Sequence, residues 1–180
     1  MKEIEIKVLD VDKEKIISKL ESIGAKKVFD GKLASIKFDF DDDRISKNDE
    51  LLRIVNSGND NILTFKGKPE DSEFKVREEI EFKLSNDPNL IKILNLIGIK
   101  EKSFHEKFRT SYVFKDIRFE LDSYPDLPTY LEIEASDEKR VKDGLDLLGL
   151  DITQTTKKTA AQILTEHGIE KQNIKFVEEL

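Results

Sequence analysis

Cysteine and tryptophan are both absent from the 180-residue sequence, which also contains only one methionine and four prolines. The absence of cysteine excludes disulfide bonds, thiolate catalysis and zinc–cysteine sites. No apolar run approaches the ~18 residues that a membrane-spanning helix needs, and the N-terminus lacks the pattern of a signal peptide. We therefore expect a soluble, cytoplasmic protein that is not associated with a membrane.

Long clusters of basic residues are missing as well. The net charge is −7, and lysine and arginine are dispersed along the chain, which argues against nucleic-acid binding through a general basic surface. Charged residues nevertheless make up 38% of the sequence, well above the usual ~25%. Eleven phenylalanines and 37% hydrophobic residues argue against disorder. The excess of charge therefore calls for an explanation beyond solubility.

Four segments have the pattern of amphipathic helices, in which a capping residue precedes an apolar stripe and a glycine follows it. The predicted helices lie within residues 12–24, 85–98, 136–149 and 156–168. The predicted N-caps of the first three are Asp12, either Ser85 or Asp87, and Ser136.

Segments in which apolar and polar residues alternate lie between the helices and predict strands. These strands cover residues 2–9, 34–40, 50–56, 61–67, 74–84, 106–115, 117–122 and 129–135. Short turns between several of them favour antiparallel hairpins, so the fold class is α+β, and eight strands can close into a barrel. The tail after residue 168 contains Ile174, Phe176 and Val177, from which we expect partial docking.

The first strand raises the question of what its charged face contacts. Glu3, Glu5 and Lys7 alternate with apolar residues, so they point to one side of the sheet. Six further strands have the same charged face opposite an apolar one. An open sheet with helices on one face and water on the other would give this alternation, as would a closed barrel with a charged interior.

Carboxylates recur two residues apart in four strands, a spacing that brings like charges close together. Two such charges ~4 Å apart repel by roughly 4 kcal/mol at an effective dielectric constant near 20, unless a cation binds between them. Hard divalent ions such as Mg²⁺ and Mn²⁺ prefer carboxylate oxygens, and separate lysines and arginines could bind an anion with several charges. The combination predicts a metal-dependent polyphosphate site. The pairs are Glu3 with Glu5, Glu79 with Glu81, Glu120 with Asp122, and Glu132 with Glu134.

The segment "EIEIK" at residues 3–7 resembles the ExExK signature of the CYTH superfamily, whose members are also called triphosphate tunnel metalloenzymes. The blocks "LLRI", "TFKG", "REEIE", "EKFRTSY", "ELD" and "YLEIEA" follow in the order found in that family, so the resemblance spans roughly residues 2–164. It implies a closed eight-stranded antiparallel β-barrel flanked by helices. We accordingly divide the chain into a tunnel domain of residues 1–168 and a C-terminal tail of residues 169–180.

The resemblance also implies roles for individual residues. The residues that resemble metal ligands are Glu3, Glu5, Glu132 and Glu134, with Glu120 and Asp122 in support. Those that resemble phosphate-binding cations are Lys7, Arg53, Lys66, Arg77, Lys107 and Arg109, with Lys158 at a further basic position. Glu5 and Lys7 are the predicted catalytic residues, and Glu79 and Glu81 are predicted to hold tunnel cations in place.

Two departures from the family pattern bear on the substrate. Val55 stands where many members have a second arginine, and residues 159–163 lack the aromatic residue and the carboxylate of the family's last motif. These losses favour hydrolysis of inorganic triphosphate or of a nucleoside triphosphate with Mg²⁺ or Mn²⁺. A class IV-type adenylyl cyclase and a non-catalytic polyphosphate-binding or nucleotide-binding module are the alternatives, and a homodimer is compatible with the resemblance.

Overall fold

The computed structural model describes residues 2–85, 89–169 and 172–177. Its strands are β1 (Lys2–Val8), β2 (Lys26–Phe40), β3 (Leu51–Asn56), β4 (Asn61–Lys66), β5 (Lys75–Leu84), β6 (Ile99–Phe114), β7 (Ile117–Ser123), β8 (Tyr130–Ala135), β9 (Thr155–Thr156) and β10 (Asn173–Ile174). Its helices are α1 (Lys13–Ser22), α2 (Arg44–Lys47), α3 (Asn89–Leu96), α4 (Glu138–Leu148) and α5 (Ala160–Glu166).

Eight of the strands form a closed antiparallel barrel, in the order β6-β2-β3-β4-β5-β1-β8-β7, with β7 pairing back onto β6. The short strand β9 adds to β1, and β10 runs parallel to β6. The predicted α+β fold with a closed eight-stranded barrel is therefore confirmed, and the open sheet is excluded.

Strands β2 and β6 are longer than the sequence pattern predicted. The prediction placed their starts at residues 34 and 106, whereas they begin at Lys26 and Ile99. The two strands pair with each other along almost their whole length, with register shifts between Lys27 and Phe29 and again between Lys37 and Phe38. The first shift leaves Val28 as an extra residue on β2, and the second leaves Lys102 as an extra residue on β6. Each interrupts the alternation of side chains in the segment that the prediction missed.

The helix ends differ in detail from the prediction. Asp12 caps α1 as predicted, with its side chain accepting a hydrogen bond from the backbone of Lys15, but the cap of α4 is Asp137 and not Ser136. The predicted cap Asp87 lies outside the described residues. The short helix α2 was not predicted; it is held by the buried side chain of Asp39, which accepts hydrogen bonds from two backbone N–H groups at its start.

The main apolar core lies outside the barrel wall, where α1 and α4 cover β1, β7 and β8. Leu20 of α1 and Val141 of α4 are fully buried there, together with Phe119 and Ile133 from the strands. A second cluster brings α5 and Ile174 of β10 against Tyr130, and a third packs Leu94 of α3 against β2 and β6. These helices pack against the apolar outer faces of the strands. The charged faces therefore line the interior of the barrel.

The C-terminal segment docks in part, as expected. Ile174 is buried, and the ring of Phe176 packs against Phe108 with 4.7 Å between the ring centroids. Val177 is 91% exposed and does not dock. None of the helices in the described ranges has both the length and the apolar character needed to cross a lipid bilayer.

Replacing Gly144 with alanine is expected to destabilise the fold by about 1–3 kcal/mol, because the new methyl group would overpack the core. A Cβ atom at this position in α4 would lie 2.8 Å from a methyl group of Ile133 and 3.2 Å from one of Ile117. Urea unfolding would measure the loss. Lys139→Ala, an exposed change on the same helix, is the control, and equal transitions for both variants would contradict the packing argument.

Candidate functional site

The barrel encloses a cavity of about 800 Å³ whose wall is built from the charged faces of the strands. In the register of the sheet, Lys7 faces Glu132 and Glu5 faces Glu134, while Arg109 faces Asp122. The structure therefore brings together side chains that are far apart in the sequence. The predicted site residues that line the cavity are Glu3, Glu5, Lys7, Arg53, Lys66, Arg77, Lys107, Arg109, Glu120, Glu132 and Glu134.

The carboxylates of β1 and β8 crowd one another on one side of this cavity. Burial and the neighbouring Glu5 raise the pKa of Glu132 to about 7. Burial and the charge of Glu3 raise the pKa of Glu134 to about 8. Because these buried carboxylates repel one another, a cation that binds between them would be stabilised.

Glu5 differs from its neighbours because two ammonium groups contact it. Lys7 Nζ lies 2.7 Å from Glu5 Oε1 and 3.0 Å from Glu132 Oε1, and Lys75 also pairs with Glu5. Burial would raise the pKa of Glu5, but the charges of Lys7 and Lys75 hold it well below the ordinary value. The second oxygen of Glu5 is buried and has no hydrogen-bond partner among the described residues.

The sequence prediction missed Lys75, although a signal was present. Lys75 stands two residues before Arg77 in β5, so both side chains project to the same face of the strand. Following the alternation of side chains two residues back from Arg77 would have included Lys75 in the prediction. Burial, together with the nearby charge of Lys7, lowers the pKa of Lys75 to about 8.

Asp122 is completely buried and contacts two of the predicted phosphate-binding cations. It accepts hydrogen bonds of 2.6 Å from Lys107 Nζ and from both Nε and Nη2 of Arg109, and one of 3.1 Å from the hydroxyl of Tyr130. Burial would raise the pKa of Asp122, but the charges of Arg109 and Lys107 hold it far below its ordinary value. Cations contact both oxygens of Asp122, so a metal ion at this residue would compete with Lys107 and Arg109.

The remaining cations fall into two groups. Lys66 Nζ lies 2.6 Å from Glu3 and 3.3 Å from Glu79, in agreement with the expectation that Glu79 holds a tunnel cation. Arg53 and Arg77 differ, since the Nε atom of each is buried without a hydrogen-bond partner in the described part of the chain. Buried donors without acceptors are costly, so these two guanidinium groups are suited to an incoming anion.

Lys158 is the one predicted phosphate-binding residue that the structure sets apart from the cavity. Lys158 precedes α5, and its ammonium lies at the surface, 2.8 Å from a carboxylate oxygen of Glu166 in that helix. The small residues after it, Ala160 and Ala161, line the cavity instead.

Metal binding would require some of these ion pairs to open. Within the described residues, no three acidic or histidine side chains are already arranged to hold a metal ion. Lys7 stands between Glu5 and Glu132, and Lys66 stands between Glu3 and Glu79. A divalent cation would therefore compete with lysine ammonium groups for the same oxygens.

Replacing Glu134 with glutamine is expected to stabilise the metal-free protein at high pH. The pKa of Glu134 is 4.5 for an ordinary glutamate, as in the unfolded chain, and about 8 in the folded chain. The unfolded chain therefore releases this proton more easily, and the folded state loses stability as the pH increases from 4.5 to 8. Glutamine mimics the protonated form, so in EDTA the variant should gain on the order of 2 kcal/mol at pH 9 and nothing near pH 4. Urea unfolding at both pH values tests this, and a wild-type protein that is as stable as the variant at pH 9 would contradict it.

Comparisons with known proteins agree with the fold. The sequence pattern of the CYTH domain matches residues 1–165. A protein of Methanocaldococcus jannaschii with the provisional name adenylate cyclase is 34% identical over 136 residues, which are 76% of this chain and 78% of that protein.

Two solved structures illustrate the fold. A protein of Pyrococcus horikoshii superposes with a TM-score of 0.72 at 26% identity, covering 91% of this chain and 98% of its own. A protein of Hippeastrum, described as an adenylyl cyclase candidate with a dominant triphosphatase activity, superposes with a TM-score of 0.64 at 14% identity, covering 93% and 97%. On the sequence match and the barrel together, the chain belongs to the CYTH domain family.

Proposed function

We propose that the chain is a divalent-metal-dependent hydrolase of triphosphate compounds, with inorganic triphosphate or a nucleoside triphosphate as its substrate. The observation that carries this proposal is the enclosed cavity, in which carboxylates from β1, β7 and β8 face lysines and arginines from β3 to β6. In a complex of a polyphosphate with a metal ion, the metal ion would bind the carboxylates and the phosphate oxygens would bind the lysines and arginines. The triphosphatase activity named for the Hippeastrum protein is compatible with this proposal.

The carboxylates have the chemistry that Mg²⁺ or Mn²⁺ requires. Glu3, Glu5, Glu132 and Glu134 would hold the metal, with Glu120 in support, because hard divalent cations prefer carboxylate oxygens. Two observations support this assignment. The second oxygen of Glu5 has no hydrogen-bond partner among the described residues, and the raised pKa values of Glu132 and Glu134 reflect negative groups without enough positive charge. When bound, the ion supplies neutralising charge to the phosphates and acidity to coordinated water.

The cationic side of the wall would bind and orient the phosphate chain. Arg53 and Arg77 have donors ready for phosphate oxygens, whereas Lys66 would exchange carboxylate partners for phosphate. Lys107 and Arg109 are held in place by Asp122, which fixes their direction before substrate arrives. This positioning keeps the terminal phosphorus in line for attack by water.

Two residues of β1 and β8 are suited to the chemical step. The charges of Glu132 and Glu5 outweigh burial and hold the pKa of Lys7 above its ordinary value, so Lys7 stays cationic and can stabilise developing negative charge. Glu132 accepts a hydrogen bond of 3.0 Å from Lys7 Nζ and so orients Lys7 for this step.

The test is to incubate the purified protein with inorganic triphosphate or ATP and either Mg²⁺ or Mn²⁺, and to measure orthophosphate and cyclic AMP. We expect orthophosphate, and none in the presence of EDTA. Metal-independent binding without turnover would instead indicate a polyphosphate-binding module.

The second candidate is adenylyl cyclase activity, which the provisional name of the Methanocaldococcus relative favours. It would use the same cavity, but the ribose 3′-hydroxyl would be the nucleophile and pyrophosphate would leave. Formation of cyclic AMP from ATP, with no orthophosphate from ATP or from inorganic triphosphate, would establish this candidate and contradict the proposed hydrolysis.

A further inference from the structure

The second half of β5 extends past the strand that pairs with its first half. The register of β5 with β1 ends at Glu78, which faces Lys2, whereas the register of β5 with β4 continues to Leu84. Among the residues that the structure describes, residues 80–84 therefore have a neighbouring strand on one side only. We call residues 80–84 the β5 edge.

The β5 edge has backbone groups that are directed away from β4. The carbonyl oxygen of Glu78 accepts a hydrogen bond from Gly67, directly after β4, so the backbone of Glu78 is directed towards that strand. The direction alternates from residue to residue, so Glu81 and Lys83 direct their N–H and C=O groups to the opposite side. An edge of this kind is a template on which a further strand can pair.

The outer face of the β5 edge is apolar and exposed. Ile80 is 56% exposed and Phe82 is 64% exposed. Phe65 and Leu63 of β4 face them in the register, so the apolar surface extends across two strands. In the described part of the chain, none of these four side chains belongs to an apolar cluster that the helices cover. Burial of this surface against a partner would therefore be favourable.

Exposed apolar side chains are concentrated in this part of the chain. Eight large apolar side chains are exposed in the described ranges, and five of them lie within residues 80–97. Besides Ile80 and Phe82, these are Ile93 and Leu96 of α3 and Ile97, directly after that helix. Single exposed apolar residues are ordinary, whereas a concentration of them indicates an interaction surface.

The β5 edge is complementary to a second copy of itself. An antiparallel pair with its two-fold axis at Phe82 brings Glu81 of each copy opposite Lys83 of the other. In the same register Ile80 lies opposite Leu84, and the two Phe82 rings lie opposite each other. Opposite charges and aromatic pairs at facing positions both stabilise a sheet. An axis at Glu81 would instead place two carboxylates opposite each other, which is unfavourable.

The present contacts of the two charged side chains are easily exchanged. Lys83 Nζ lies 2.6 Å from Oδ1 of Asp60, but the two side chains are 69% and 40% exposed, and surface pairs of this kind contribute little to stability. Glu81 accepts a long hydrogen bond of 3.3 Å from the hydroxyl of Thr64. Both side chains can therefore turn towards a partner at small cost.

We propose that the chain forms a two-fold symmetric dimer in which the β5 edges of two copies pair in antiparallel direction, with Phe82 on the axis. The sheet then continues from one barrel into the next. The charges of the edge match those of its own copy, so the partner is a second copy of this chain. Glu81 also lines the cavity, so Lys83 of the second copy adds a cation at the cavity wall. This inference is independent of the proposed function.

Analytical ultracentrifugation of the purified chain tests the dimer. We expect twice the mass of one chain for the wild type. Phe82→Asp places two like charges on the axis and should raise the dissociation constant at least about 30-fold, the effect of losing a hot-spot residue. Val28→Asp changes another exposed apolar residue, on β2, and should leave the dimer intact. A wild type that is monomeric up to about 100 µM, or equal dissociation constants for the wild type and Phe82→Asp, would overturn the proposal.

Charge reversal tests the register of the pair. Glu81→Lys and Lys83→Glu each place like charges opposite one another and should each weaken the dimer by about 10-fold. The double variant restores opposite charges and should recover wild-type association. If the axis were at Glu81, the double variant would place two lysines opposite each other. A double variant that associates no better than the single variants would therefore overturn this interface.

The absence of cysteine from the chain allows a direct test of contact across the axis. Facing residues of a non-hydrogen-bonded antiparallel pair have Cα atoms about 4.5 Å apart, which a disulfide bond can span. In oxidising buffer, Phe82→Cys should therefore form a covalent dimer that non-reducing gel electrophoresis detects. Val28→Cys is the matched control and should remain a single chain on the gel. Equal cross-linking of both variants, or of neither, would contradict the proposed axis.

Discussion

Asp122→Asn is expected to lower the free energy of unfolding by about 3–5 kcal/mol, because it removes a fully buried negative charge that two buried cations, Lys107 and Arg109, share. Asp122 is fully buried, and it accepts hydrogen bonds from Lys107 Nζ and from Nε and Nη2 of Arg109. Asparagine has nearly the same shape but carries no charge. Guanidinium chloride unfolding at pH 7 would measure the loss.

The pH dependence of this loss follows from the direction of the pKa shift. The pKa of Asp122 is held far below its ordinary value of 3.8 by Arg109 and Lys107 against the effect of burial. The stabilisation is therefore complete above about pH 4 and is lost only as the pH falls through the lower folded-state value. The difference between wild type and variant should accordingly be largest near pH 5 to 6 and decrease towards pH 8, because burial and Arg109 lower the pKa of Lys107 to about 8 and loss of Asp122 lowers it further.

A bound polyanion should restore part of the stability that Asp122→Asn loses. Inorganic triphosphate can supply negative charge to Lys107 and Arg109, so it should raise the melting temperature of Asp122→Asn by more than that of the wild type. Asp41→Asn is the control, since Asp41 pairs with Lys100 at the surface and should not affect unfolding. An unfolding transition for Asp122→Asn that coincides with the wild-type transition would show that the cations do not depend on Asp122.

Glu5→Gln is expected to reduce metal-dependent release of orthophosphate by at least about 10²-fold, the scale on which the loss of one electrostatic contact in an active site acts. Glu5 is 2% exposed, pairs with Lys7 and Lys75, and has a second buried oxygen that no group in the described part of the chain hydrogen-bonds. Glutamine keeps the volume of the side chain but removes a charge that the metal and both lysines use.

Binding and folding controls separate the causes of this loss. Calorimetric titration with Mn²⁺ should show weaker binding by Glu5→Gln, and circular dichroism should show whether the barrel remains folded. Glu70→Gln removes a carboxylate that pairs with Lys2 at the surface and should retain wild-type turnover. A folded Glu5→Gln protein with turnover within threefold of the wild type would contradict the assigned role.

Much of the site could be predicted from local patterns. Strand alternation identified the charged faces because the side-chain period of a strand is two wherever the strand lies. Glu3, Glu5 and Lys7 on one face of β1 are the clearest case, and Asp12 as the cap of α1 is another. Each of these features depends on neighbours within a few residues.

Other features depended on contacts between distant segments. The ion pairs of Asp122 with Lys107 and Arg109 follow from the β6–β7 register, and the pairing of Lys75 with Glu5 follows from the β1–β5 register. The surface position of Lys158 depends on the placement of α5, which the motif alone did not define.

The sequence by itself therefore determined which side chains share a strand face and that this face is charged. The tertiary structure decided whether those faces surround a cavity or meet bulk water. The physical reason is that the period of a strand is a local property and is the same in an open sheet and in a barrel. Closure requires β7 to pair with β6 and the helices to cover the outer faces, and both depend on packing between residues far apart in the chain.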